Sequence, residues 1–94
     1  MNLKESLRKE RSAVLAYRCR RLREEAGLSR SQLAAEIGAD ESSVGAIERG
    51  VRDPGIWMLT AMCRVLGSTP NRMLTKPAAA ELSEIEEILK KRKG

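Results

Sequence analysis

Residue types and spacings that support catalysis are missing from this 94-residue sequence. It contains no His, and no Ser or Cys stands beside a plausible general base. Neither a cluster of metal ligands nor a Gly-rich phosphate loop is present in the sequence. We therefore expect a protein that is not an enzyme and that needs neither a metal ion nor a cofactor. The chemistry that remains is hydrogen bonding and ion pairing through side chains.

The charges of the chain favour a polyanionic partner. The formal net charge is +5 and the isoelectric point is about 9.7. Residues 1–26 carry eight Lys or Arg and four acids, residues 27–75 carry five of each, and residues 76–94 carry five and four. The basic surplus therefore lies in the N-terminal segment, where residues 18–21 read RCRR. This cluster predicts either additional phosphate contacts or a solvated helix face.

Helices are the elements that must position these side chains, since apolar residues recur at helical spacing and strand signals are missing. A first helix is predicted by the apolar residues Leu15, Cys19, Leu22 and Ala26. Gly27 would end it as a left-handed cap. Its start is open. Asn2 and Glu5 have the spacing of a cap and would begin one long basic helix; otherwise residues 1–12 form a loose arm.

Two short helices follow and are joined by a turn. Ser29 and Gln32 have the spacing of a capping box and begin the second helix, and Gly38 supplies the positive φ of the turn. Asp40 caps a third helix, whose sequence DESSVGAIERG ends at Gly50. The inward positions of the two helices are Leu33, Ala34, Ile37, Val44 and Ile47.

Three further helices are predicted in the C-terminal half. The inner residues of the fourth are Ile56, Leu59, Met62, Cys63 and Leu66. A short fifth helix begins at Pro70 and ends near Leu74. The last segment, AAAELSEIEEILKKRKG, has an apolar stripe at Leu82, Ile85, Ile88 and Leu89. This stripe must pack either on its own domain or on a second subunit.

The two cysteines indicate the cellular compartment. Cys19 and Cys63 both lie in helical apolar patterns, without a C-x-x-C motif or a signal peptide. Such residues are typical of buried, reduced thiols in a cytosolic protein, and a redox switch is the alternative. No apolar run approaches the roughly 18 residues that a membrane span requires. We expect a cytoplasmic protein that does not bind membranes.

The spacing of these features is similar to that of a known family. The segments RLREEAGLSRSQLAAEIG, IERG, RDP and LG make residues 21–74 resemble the Cro/repressor-type (XRE-like) helix-turn-helix proteins of bacteria and phages. The resemblance implies an all-α, five-helix bundle whose third helix enters the major groove of DNA. We expect a basic N-terminal arm or helix extension at 1–12, the DNA-binding domain at 13–75, and an extra amphipathic helix at 76–94 for packing or dimerisation.

The resemblance also implies roles for individual residues. The base-facing positions are Glu41, Ser42 and Ala46, with Ser43 nearby. The candidate phosphate contacts are Arg30, Gln32, Arg49 and Arg52, although Gln32 is also expected in the helix cap. Arg23 and Glu48 would form the salt bridge that ties the first helix to the end of the third.

The base-facing residues predict weak discrimination between sequences. Serine hydroxyls donate or accept, Glu41 only accepts, and Ala46 can touch a thymine methyl group. None offers the two-point contact that is worth about 1–3 kcal/mol, and Gly45 would bring the backbone close to the groove. Affinity should therefore come from phosphate contacts doubled by dimer symmetry, and specificity partly from DNA shape.

An interface is predicted on the fourth helix, because Trp57 lies at its start and off the inner stripe; a partly buried core Trp is the alternative. The possible dimer contacts are Trp57, Met58, Ala61, Val65, Leu82, Ile85 and Leu89. The predicted function is a homodimeric, sequence-specific transcriptional regulator, a repressor or autoregulator, on a palindromic operator of double-stranded DNA. The alternative is an antitoxin-like module that binds a protein partner through its terminal helices and uses its helix-turn-helix for autoregulation.

Overall fold

The computed structural model describes residues 1–93, and these form an all-α bundle without a β-strand. The helices are α1 (Leu3–Glu25), α2 (Arg30–Ile37), α3 (Glu41–Glu48), α4 (Ile56–Leu66), α5 (Pro70–Leu74) and α6 (Leu82–Lys93), with a 3-10 turn at Ala79–Glu81. The predicted fold, a helical bundle with an extra C-terminal helix, is confirmed. Gly94, the last residue of the predicted segment 76–94, lies outside the described residues. Within residues 1–93 no helix has the length and hydropathy that crossing a bilayer requires.

The N-terminal segment is part of α1 and not a loose arm. The Asn2 side chain accepts a hydrogen bond of 2.9 Å from the backbone N–H of Glu5, which caps the helix. Asp53, in the loop after α3, then holds the early turns of the helix. It accepts from the Ser12 hydroxyl and pairs with Arg8 at 3.3 Å. The helix therefore continues without a break through the predicted boundary after residue 12.

Local caps define the pair α2–α3. The Ser29 hydroxyl accepts from the Gln32 N–H at 3.0 Å while the Gln32 carbonyl accepts from the Ser29 N–H at 2.8 Å. Asp40 accepts from the Ser43 N–H at 2.8 Å and begins α3. Between them Gly38 has φ +75°, a conformation in which a Cβ atom is strained. Nothing lies within 4 Å of the place such a Cβ would take, so backbone conformation, not space, favours glycine here.

The larger hydrophobic cluster joins α1 to helices α2–α5. Its buried members are Leu15, Cys19, Leu33, Ala34, Ile37, Val44, Ile47, Met58, Met62, Cys63 and Met73. The five inward positions predicted for α2 and α3 are all among them. Burial of these side chains fixes α3 against α1 and α2 and leaves its opposite side outward.

Four of the five residues predicted on the inner face of α4 pack in or against this cluster, namely Leu59, Met62, Cys63 and Leu66, but the fifth does not. Ile56 was expected inside but is 89% exposed, whereas Met58 was expected at an interface but is buried in the core. The buried residues of α4 are Met58, Met62 and Cys63. Because successive residues turn by about 100°, Ile56 lies on the opposite side of the helix from Met58. Met58 is therefore not available to a partner.

Helix α6 packs on α1 of its own chain. Ile85 is buried with Ala13 and Val14, and Ile88 and Leu89 pack against the same small cluster. The prediction of Ile85 as a dimer contact is therefore wrong. Leu82, at the start of the stripe, remains exposed.

Arg18 fixes the connection between α5 and α6. Its guanidinium donates to the carbonyl oxygens of Arg72 at 2.9 Å and Thr75 at 2.7 Å. It also donates to both carboxylate oxygens of Glu81, at 3.1 and 3.0 Å. The hydrogen bond from Arg18 holds the pKa of Glu81 below its ordinary value. Arg18 was expected in a phosphate-binding or solvated cluster, and both expectations are wrong because its side chain is buried.

Candidate nucleic-acid interface

The outward side of α3 is formed by three of the predicted base-facing residues, Glu41, Ser42 and Ala46, which we call the recognition surface. Glu41 and Ser42 are exposed and Ala46 is half-buried. The Ser42 hydroxyl donates to Asp40 at 3.1 Å. Hydrogen bonds from Ser43 and Ser42 lower the pKa of Asp40. The side chains of Asp40 and Glu41 both lie at the start of α3. This surface is short and acidic, and it suits contacts that accept hydrogen bonds.

Ser43 does not belong to the recognition surface. Its side chain is buried, and its hydroxyl accepts a hydrogen bond of 2.6 Å from Nη1 of Arg52. The prediction that Ser43 faces bases is therefore wrong. The bond instead holds the loop after α3 against the helix, with Arg52 still exposed at its edge.

The predicted pair of Arg23 and Glu48 lies beneath this surface. Nε and Nη2 of Arg23 donate to the two carboxylate oxygens of Glu48 at 2.6 and 3.0 Å. The Glu48 side chain is only 1% exposed and that of Arg23 is 9% exposed. Arg23 also donates to the Leu28 carbonyl at 2.7 Å, so one guanidinium joins α1, the α1–α2 turn and α3. The hydrogen bond to Glu48 raises the pKa of Arg23, so the guanidinium stays charged.

Cys19 completes the surroundings of Glu48. Its thiol donates to Oε2 of Glu48 over 3.8 Å. Burial, and then the negative charge of Glu48, raise the pKa of Cys19 to about 12. The thiol is therefore protonated and unreactive at neutral pH.

Arg30, at the first position of α2, is held at the rim of this buried site. Its Nε lies 3.2 Å from Oε1 of Glu48, and its side chain is 45% exposed. Gln32 is exposed, but its carbonyl oxygen is engaged in the cap of α2. Arg30 therefore presents a positive charge that Glu48 holds in place, whereas the Gln32 side chain is used in the helix cap.

Arg49 lies across Gly45 at the end of α3. A Cβ added to Gly45 would be 3.2 Å from Nη1 of Arg49, and Gly45 is itself buried. The guanidinium thus lies over Gly45 in the folded chain, and the expected close approach of the Gly45 backbone to a groove stays a prediction. The sequence signal was the spacing of glycine and arginine four residues apart on one helix face.

These features define a helix-turn-helix protein: two short helices, a glycine turn, an exposed second helix and cations at its ends. Residues 14–75 match the family model described as a helix-turn-helix domain, and the chain belongs to that family. Its structure is similar to that of a hypothetical transcription factor, NHTF, from Neisseria. The TM-score is 0.66 at 32% sequence identity, over 77% of this chain and 82% of that chain. No curated protein gives a significant match.

Proposed function

We propose that the protein is a transcriptional regulator that places α3 in the major groove of double-stranded DNA. The observation that carries this proposal is the outward side of α3, with Arg30 half-exposed beside it and fixed by Glu48. Membership of the helix-turn-helix family and the likeness to a hypothetical transcription factor support it. The finer resemblance to Cro/repressor-type proteins favours a repressor or autoregulator, since a protein bound across a promoter blocks polymerase.

Affinity in this proposal comes from cations around the recognition surface. Arg30, Arg49 and Arg52 are all exposed, and arginine binds phosphate through two parallel N–H groups. Glu41 and Ser42 then contribute modest selectivity, with cytosine N4 as the natural partner of the carboxylate. Sequence preference at positions that are not contacted would come from DNA shape.

Binding to DNA is tested with Arg30→Ala and Arg52→Ala in mobility-shift titrations across a range of salt concentrations. Each lost phosphate contact should flatten the plot of log K against log [salt] by about one unit and weaken all sequences alike. Arg72→Ala on α5 removes the same charge from an exposed side chain and should leave the slope unchanged. Wild-type protein that binds no duplex, or binds without salt dependence, would contradict the proposed function.

We also propose a homodimer formed through α4. Trp57 is 59% exposed and Ile56 is 89% exposed, and Ala61 and Val65 lie half-buried on the same helix. Large aromatic residues at a surface are typical of interface hot spots. Helix-turn-helix dimers bind two half-sites about 34 Å apart, one turn of DNA, and a dimer of this kind would favour a palindromic operator.

Trp57→Glu should convert a dimer to a monomer. Loss of a hot-spot side chain costs about 2 kcal/mol or more, which weakens association at least about 30-fold. Analytical ultracentrifugation at several concentrations measures the change. Leu3→Glu is the control, because Leu3 is also an exposed apolar residue but lies at the start of α1, away from α4. A wild-type protein that stays monomeric at high concentration and on its operator would contradict the dimer.

The antitoxin-like alternative is not favoured by a specific observation. Two features of the sequence suggested it: the neutral overall charge of residues 27–75 and the apolar stripe at residues 82–89. Ile85, Ile88 and Leu89 of that stripe pack on α1.

A further inference from the structure

A cleft of about 320 Å³ lies between α6 and the ends of α2 and α3. Four cationic side chains line it: Arg20, Arg30, Arg49 and Lys91. They come from four helices or their ends, so the fold and not the sequence brings them together. Glu48 is the carboxylate among the lining residues.

The positive charges in this cleft exceed the negative ones. Glu48 already accepts two hydrogen bonds from Arg23, which neutralises it before any lining cation is counted. Arg20 pairs with Glu24 at 3.5 Å, but both side chains are more than half exposed, and such a pair is weak in water. Within residues 1–91, no carboxylate lies within ion-pair distance of Arg49 or Lys91. Cations held this close together repel one another, and a bound anion would relieve that repulsion.

Helix α6 holds Lys91 in this place. Ile85 anchors the helix on α1, and Ile88 lies both in that cluster and in the wall of the cleft. Lys91 follows Ile88 by three residues and therefore lies on the same face of the helix. The packing that buries the apolar stripe thus sets an ammonium group beside the end of α3.

We propose that this cleft binds a phosphate of the DNA backbone, so that α6 and the middle of α1 extend the DNA-binding surface. The inference rests on the proposed function, because Arg30 and Arg49 are phosphate contacts in that proposal and also walls of the cleft. Continuity with these two residues favours DNA over a free anion. The inference also accounts for the charge distribution: residues 27–75 are neutral overall, and Arg20 and Lys91 lie outside that segment.

The test uses Lys91→Gln and Arg20→Gln in the full chain, with a random duplex of about 30 base pairs as the probe, titrated between about 50 and 250 mM salt. Each variant should flatten the salt slope by about one unit and weaken binding about five- to tenfold near 0.1 M salt. Lys90→Gln and Arg21→Gln are matched controls. Each removes the same charge one residue away, from a side chain that does not line the cleft. Thermal melts establish that all four variants are folded.

The outcomes separate this inference from the proposed function. If Lys91→Gln and Arg20→Gln flatten the slope and their controls do not, the cleft is a phosphate site. If wild type binds and Arg30→Ala flattens the slope, but Lys91→Gln equals Lys90→Gln, the inference is overturned while the proposed function stands. Equal weakening of binding by all four variants also overturns the inference, because the effect is then net charge alone. If wild type does not bind duplex DNA, the proposed function itself fails.

Discussion

Glu48→Ala should lower the free energy of unfolding by about 3–5 kcal/mol, because removal of one partner leaves a buried charge without compensation. The charge left behind is the guanidinium of Arg23, which is 9% exposed. The substitution also removes the acceptor of the Cys19 thiol and the carboxylate that positions Arg30. Chemical denaturation followed by circular dichroism measures the change.

Glu87→Ala is the control for this prediction. Glu87 is also a helical carboxylate in an ion pair, 3.7 Å from Lys90, but both side chains are largely exposed. Its removal should change stability by no more than about 0.5 kcal/mol. Replacing both Arg23 and Glu48 with Met should cost much less than Glu48→Ala, since no charge then stays buried. If Glu48→Ala has an effect as small as that of Glu87→Ala, the buried bridge does not stabilise the fold.

Arg18→Ala should lower stability by about 2–4 kcal/mol and loosen residues 76–93 from α1. The reason is that hydrogen bonds of a charged donor contribute about 1.5–3 kcal/mol each and that Glu81 loses its partner. In hydrogen-exchange measurements, Arg18→Ala should speed amide exchange in α6, relative to wild type, more than in α2 or α3. Arg21→Ala removes an exposed pair with Glu25 and should leave both measurements nearly unchanged. Equal protection of α6 in both variants would contradict this role.

The loss of stability caused by Arg18→Ala should depend on pH. Arg18 lowers the pKa of Glu81 below its ordinary value of 4.5. A carboxyl group whose pKa is lowered by folding stabilises the native state at pH values above its pKa in the unfolded chain. This contribution is lost as the pH falls through its pKa in the folded chain. The difference between wild type and Arg18→Ala should therefore be largest above about pH 5 and shrink in acid.

Local signals predicted the elements that position the recognition surface. Caps at Asn2, Ser29 and Asp40 depend on residues three positions away, and all three are present in the structure. The turn at Gly38 depends on a single backbone conformation. These interactions are contained within a few residues, so a linear pattern is enough to find them.

Interactions between distant segments could not be found in this way. The hydrogen-bond partners of Arg18 lie 54 to 63 positions along the chain, and no spacing rule connects them. Helix α4, IWMLTAMCRVL, has apolar residues around most of its circumference. Its periodicity therefore could not decide between Ile56 and Met58 for the core. Ser43 was misassigned for a similar reason, since only the folded loop brings Arg52 to its hydroxyl.

Helix α1 is the shared wall of both hydrophobic clusters. Ala13 and Val14 have no exposed surface in the folded chain, because α6 covers them. A fragment that ended at residue 75, the C-terminal limit of the matched family domain, would keep its recognition surface but expose Ala13 and Val14. The C-terminal helix thus completes the burial of α1 and is part of the folded unit, not an appendage to it.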